Sequence, residues 1–283
     1  MRRRFSSSLA AAVAFAALAH IPLYGQVPQG QNGNGAAMPT PRTPDGHPDF
    51  SGVWNGGGGG GGGNQGAVDE KGNVTVTFAS RDGSVYNFER DSGLRTRMDP
   101  NKPIYKPEYW DKVSELDING NAEDPTFSCM PAGVPRMGPP TKIVQTPTEM
   151  IFLHQNRNTF RVIPIDGRPH APENTLEGTW TGDAVGRWEG DTLVIDTIGI
   201  TEESWLDFPG YFHSPKMHVV ERMKREGNTV TWNATVEDPV VLLKPWVMNQ
   251  RTLRLNADPK AALAEDLPCS ERDLLHLVTK ERG

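Results

Sequence analysis

From Val74 onward the chain alternates apolar and polar residues over short runs, broken by Gly, Asn, Asp and Pro. The run NTVTWNATVED at 228–238 shows the pattern most plainly. Val230, Trp232, Ala234 and Val236 fall on one face, and Thr229, Thr231, Asn233 and Thr235 on the other. Side chains alternate along a strand with period two, so this run predicts a strand with one buried and one wet face. KMHVVERMKR (216–225) alternates likewise and meets it across Glu226-Gly227-Asn228, which predicts a hairpin. A second hairpin is predicted over 186–200 around Glu189-Gly190-Asp191, and a third over 74–90 around Arg81-Asp82-Gly83-Ser84. Strands are also predicted over 141–147, 149–155, 158–166 and 246–256. Helical spacing is confined to 259–265 and 271–277, while residues 91–141 show no period and predict a long irregular segment.

These elements, joined mostly as hairpins, predict an all-β fold: a single antiparallel barrel or sandwich over 74–283 with little helix. Ahead of it, residues 26–73 read as a disordered arm rich in Gly, Pro, Gln and Asn. The arm holds the glycine run 56–63, which lacks the Gly-Lys-Ser/Thr of a phosphate loop and reads as a low-complexity insertion. It also holds the first of three Gly-x-Trp triplets, at 52–54, 178–180 and 186–188.

The N-terminus changes the picture of compartment. Arg2, Arg3 and Arg4 precede an apolar run from Leu9 to Ala19. That run is shorter than the ~20 residues a membrane span needs, so residues 1–25 are read as a signal peptide rather than an anchor. The expected location is periplasmic or secreted, with no membrane insertion after cleavage. A formal net charge of −6 argues against nucleic acid as a partner. In an oxidising compartment the two cysteines, Cys129 and Cys269, are expected to form a disulfide, worth about 4–5 kcal/mol in the chain-entropy model. Two buried free thiols are the alternative.

Several segments, taken in order, resemble a known family. They are PDFSGVW (48–54), DPTFSCMPAGVPR (124–136), IVQTPTEMIFLHQNRNTFRVIPIDGRPH (143–170), VGRWEGDTLVIDTIG (185–199), HSPKMHVVERMKR (213–225) and VEDPVVLLKPW (236–246). The family comprises exported β-rich proteins of environmental bacteria that carry the label hypothetical. The resemblance implies export and one β-rich domain, and carries over no activity. At the level of fold, Gly-x-Trp on the first strand with an arginine from the last strand over it is similar to the lipocalin-like (calycin) barrels. Trp54 with Arg251 or Arg254 would fill those places.

Candidate chemistry is scattered. Trp180 and Trp188, with Arg187 and Asp191 beside them, are candidates for a ligand-binding rim, since a tryptophan offers a flat face and an N–H donor. Core packing is the competing role. Asp166 and His170, in DGRPH, are candidates for base and orienter, against a plain Asp-Gly turn. Glu221 shares a face with Met217, Val219 and Met223. If that face is interior, Glu221 is a buried carboxylate and the favoured catalytic acid, with His170 or His213 assisting. Arg222 points away from it and cannot be its partner. No cofactor is expected. The remaining metal alternative is His213 with His218, whose spacing is loose, and no nucleophile-elbow serine motif is present.

Three functions stay open at this point. The first is an exported barrel binding a small-molecule or glycan-like ligand. The second is an exported hydrolase or lyase acting on a glycan or polyol by carboxylate and histidine acid–base chemistry. The third is a structural or interaction module of the envelope. Whether the protein is an enzyme is undecided by the sequence.

Overall fold

The computed structural model describes residues 39–56, 64–68, 74–79, 85–87, 101–119 and 123–266. The predicted signal peptide, most of the glycine run, Cys269 and the predicted helix at 271–277 lie outside these residues.

The pattern that predicted strands is borne out. The barrel strands are β1 (Gly52–Gly56), β5 (Lys142–Gln145), β6 (Glu149–His154), β7 (Thr159–Pro164), β8 (Asp183–Glu189), β9 (Thr192–Ile198), β10 (His218–Glu226), β11 (Thr229–Glu237) and β13 (Arg251–Leu255). They form one antiparallel sheet in the order β7-β6-β5-β1-β13-β11-β10-β9-β8, and the short β12 (Trp246–Val247) pairs with β11. The predicted strand 246–256 is thus two strands. β2 (Asn64–Val68), β3 (Val74–Ala79) and β4 (Val85–Asn87) make a separate three-stranded antiparallel sheet, and β3–β4 is the hairpin expected there.

The nine-stranded sheet curls until its ends nearly meet. Gly186 on β8 makes that approach possible. A Cβ on this residue would stand 3.4 Å from the carbonyl oxygen of Pro164, the last residue of β7, and 2.7 Å from Cγ2 of Ile165, which follows it. Inside, the barrel is filled. Trp54, Trp232, Phe152, Met150, Ile195, Met223 and Leu253 are buried and belong to one cluster. All four predicted inward residues of β11 are fully buried. Among the described residues the interior is therefore a packed core.

Three expectations are corrected. First, part of the predicted disordered arm is an ordered strap. Residues 39–56 run onto the barrel, with Phe50 and Trp54 buried. The Phe50 amide donates to Gln145 Oε1 at 2.7 Å, the Gly227 amide to Thr40 Oγ1 at 2.9 Å, and Arg225 Nη1 to the Asp49 carbonyl. Polar composition hid the few apolar anchors that hold it.

Second, the helix is elsewhere. α1 (Trp110–Ile118) lies inside the segment read as irregular, while residues 259–266 contain a turn and no helix. Pro107 opens the 3-10 turn that leads into α1. The helix buries Val113 alone, so its apolar stripe is too thin to announce it. Gly210 (φ +71°) lets a loop pass against it, where a Cβ would stand 2.7 Å from the Val113 carbonyl oxygen.

Third, the cation over Trp54 is Arg225 of β10, 5.1 Å from the ring, rather than an arginine of the last strand. Arg251 lies over Trp232 instead, at 5.6 Å. Among the described residues no helix is long and apolar enough to cross a membrane.

Candidate functional site at the barrel seam

Strand register builds the site. Ala184, Thr197, Val219 and Val236 point inward and are buried. Their neighbours Asp183, Asp196, His218 and Glu237 must therefore face outward. Pairing sets Asp183 opposite Ile198, Asp196 opposite Val220 and His218 opposite Glu237. Four ionisable side chains thus share one outer corner of β8–β11.

His170 completes the corner from the loop between β7 and β8. Its Nδ1 lies 2.8 Å from Asp183 Oδ2 and its Nε2 3.0 Å from Asp196 Oδ1. Asp183 Oδ2 also accepts from the Ala171 amide at 3.0 Å. Asp196 Oδ1 also faces His218 Nε2 at 2.7 Å, and His218 Nδ1 stands 3.5 Å from Glu237 Oε2. The chain of contacts runs acid, imidazole, acid, imidazole, acid, each group partly exposed.

Beside His170 lies a cavity of about 370 Å³, where the two ends of the sheet meet. Val162, Pro164, Ala184 and Val185 give it apolar walls, and Arg168, His170 and Asp183 supply polar groups. Arg168 is held by Asp166, with Nε–Oδ1 at 2.9 Å and Nη2–Oδ2 at 2.6 Å. Those hydrogen bonds hold the Asp166 carboxyl below its ordinary range. Asp166 is therefore the partner of Arg168, while Asp183 and Asp196 are the partners of His170.

The other sequence candidates lie in different surroundings. Glu221 is interior and 1 % exposed, as its face predicted. Its Oε1 accepts from Trp232 Nε1 at 3.0 Å. Its Oε2 stands 2.7 Å from Arg161 Nη2, an ion pair whose angles fall short of a hydrogen bond. Arg161 comes from β7, across the barrel, and its Nη2 also donates to Thr197 Oγ1 at 3.2 Å. Arg161 Nε and Nη1 and the nearby His154 Nε2 lack hydrogen-bond partners. Burial, with the Arg161 charge beside it, pushes the His154 pKa down to about 3, so this imidazole is neutral near pH 7. Glu221, His170 and Trp188 do not converge in one pocket.

His213 is buried. Its Nδ1 donates to the Ser214 carbonyl at 2.9 Å, which leaves Nε2, 2.8 Å from Ser204 Oγ, as an acceptor. Burial lowers its pKa. Ser204, which the sequence reading passed over, is itself fully buried, so this Ser–His pair is sealed from substrate. His213 and His218 have separate partners. Among the described residues no three His, Cys, Asp or Glu side chains are placed to hold a metal ion.

At Trp188 the face expected to form a rim is covered by the chain itself. His47 of the strap stacks on Trp188 at 4.5 Å and 4°, and Phe50 tilts against it at 5.9 Å. Asp191 takes both Arg42 Nη atoms, at 2.9 and 2.7 Å, and Arg187 pairs with Glu189 at 2.9 Å. Trp180 is partly buried, and its carbonyl accepts from the Val134 amide at 3.0 Å. Trp188→Ala is expected to destabilise the fold by about 1–3 kcal/mol, through lost burial and the lost stack. A thermal melt checks this, and an unchanged midpoint would show that the strap does not rest on Trp188.

Cys129 ends a 3-10 turn in the left-handed region, φ 66°. Arg157 Nη2 bonds the Thr126 carbonyl of that turn, and the Arg157 amide donates to Asp266 Oδ2 at 2.9 Å. The chain three residues before Cys269 is thereby brought to the neighbourhood of Cys129. Compared with known proteins, the chain matches no family model, no curated protein and no solved structure.

Proposed function

We propose that the protein is an exported β-barrel that binds a small molecule in the seam pocket, with His170 and Arg168 as the orienting polar groups. The observation that carries this reading is the pocket itself. It is half open, of mixed polar and apolar lining, and of a volume within the ~300–1,000 Å³ typical of ligand sites. Among the described residues no Phe, Tyr or Trp ring lines it. A compact ligand of mixed polarity suits it better than an oligosaccharide, which would look for a stacking face. The signal-like N-terminus supports a periplasmic or secreted location, with the expected Cys129–Cys269 disulfide formed there. The acidic chain supports neither nucleic acid nor an anionic membrane surface as partner.

The test is native mass spectrometry of protein purified from the periplasm, followed by calorimetry with small organic acids, amines and polyols. His170→Ala is expected to weaken binding at least about tenfold, the scale of one charge-assisted hydrogen bond. Val185→Trp fills the pocket from its outward-facing wall, and is expected to abolish binding with little change in stability. Wild-type binding by the Val185→Trp protein would sink the reading. An acid–base enzyme is the second reading, favoured by one observation: an imidazole with a carboxylate at each nitrogen. Turnover of a chromogenic glycoside or ester that disappears in His170→Ala would select it.

A further inference from the structure

We propose that His170, Asp183, Asp196 and His218 form a proton-held clasp, which ties the loop between β7 and β8 down over the seam and makes the pocket wall respond to pH. The consequence for ligand rests on the seam-pocket reading, whereas the clasp itself is defined by contacts within the chain.

Ionised carboxylates accept hydrogen bonds and cannot donate them. Both ring nitrogens of His170 face carboxylate oxygens, at 2.8 and 3.0 Å. Both contacts are hydrogen bonds only when the imidazole holds two protons. With one proton, a ring lone pair faces a carboxylate oxygen, and one of the two tethers turns repulsive. The second imidazole shares in this, because His218 Nε2 uses the same Asp196 Oδ1.

The charges facing the cluster come from every neighbouring element. They are Asp183 from β8, Asp196 from β9, His218 from β10 and Glu237 from β11. On the loop, Arg168 is paired with Asp166, and Glu173 reaches Lys216 at 3.0 Å. Three carboxylates therefore meet two imidazoles. The cluster carries one net negative charge when both imidazoles are charged, and three when neither is. The clasp is closed when the imidazoles hold two protons and loosens when they lose one.

Loop and pocket are one object here. His170 and Arg168 are both pocket wall and loop. The Ala171 amide donates to the same Asp183 oxygen that His170 holds. Loosening His170 therefore frees the wall and exposes that amide.

The experiment is hydrogen–deuterium exchange on the full chain without ligand, at about pH 5.5 and about pH 8, corrected for intrinsic base catalysis. Protection of the peptide covering 170–176 is expected to fall at least about tenfold at the higher pH, while β10 and β11 keep theirs. His170→Gln keeps a polar side chain but cannot take up the second proton. It is expected to show the low protection at both pH values. The same pH response in His170→Gln as in the wild type would overturn the clasp, and so would a flat response in the wild type. Both outcomes are independent of the calorimetry. A failed ligand screen sinks the pocket reading and leaves the exchange result standing.

Discussion

Glu221→Leu is expected to cost the fold about 3–5 kcal/mol, and Arg161→Met added to it is expected to return most of that loss. Arg161 and Glu221 are 3 % and 1 % exposed, so neither charge has water to fall back on. Removing Glu221 leaves a guanidinium in the barrel core with Thr197 Oγ1 as a hydrogen-bond partner and the Phe152 ring 5.9 Å away. It also strips Trp232 Nε1 of its acceptor. Yet the intact pair is itself costly to bury. Two guanidinium nitrogens already lack hydrogen-bond partners, and the contact with Glu221 is poorly angled. The double variant removes both desolvation penalties together and keeps most of the volume. Urea melts of the two single variants and the double variant form a mutant cycle. Simple addition of the two losses would show that the charges act separately and are not a buried pair.

Trp54→Ala is expected to cost about 3–5 kcal/mol, the range for removing a large buried aromatic. Trp54 is 1 % exposed, its Nε1 donates to the Phe50 carbonyl at 2.9 Å, and Arg225 covers its face. The indole also lies in β1, the strand that stands between β5 and β13. Losing it therefore weakens the strap and the middle of the sheet at once. At roughly 2–4 °C per kcal/mol for a domain this size, the thermal midpoint should fall by roughly 6–20 °C. A loss below about 1 kcal/mol would mean that the strap is an appendage, since surface changes stay within about half a kcal/mol.

The strands were legible because period two survives in a half-buried sheet. Val230 to Val236 read correctly from alternation alone, and so did the inward turn of Glu221 and the outward turn of His218 and Arg222. The corner site was legible in principle. The turn at 227–228 places His218 opposite Glu237, and the turn at 190–191 places Asp183 opposite Ile198. Counting register outward from each turn would have set Asp183, Asp196, His218 and Glu237 on one face. His170 joins them from a loop 13 residues before Asp183, and no local pattern announces that contact. Arg161 was invisible as the partner of Glu221 for the same reason. Such pairs depend on how far the sheet curls, and curling is a property of the whole sheet. The strap was misread because mean polarity outweighed its two or three anchoring side chains. The helix α1 was missed because it buries one side chain.

The order of strands has a consequence for how the chain assembles. β5, β6 and β7 are neighbours in sequence and in the sheet, and so are β8, β9, β10 and β11. Within them β5–β6, β6–β7, β8–β9 and β10–β11 close over short loops, which is fast, while β9 and β10 are joined by the longer segment 199–217. The two groups are joined only through β1 and β13, and there Trp54 pairs with Leu255, roughly 200 residues away. Until the first and last strands meet, β5 and β11 each present a bare edge to any other chain in reach. Completion of the sheet waits for residues synthesised roughly 200 positions after Trp54, a non-local pairing of the kind that slows folding. A chain cut short before Arg251 would keep most of its hydrophobic residues and still lack the strand that makes them one sheet.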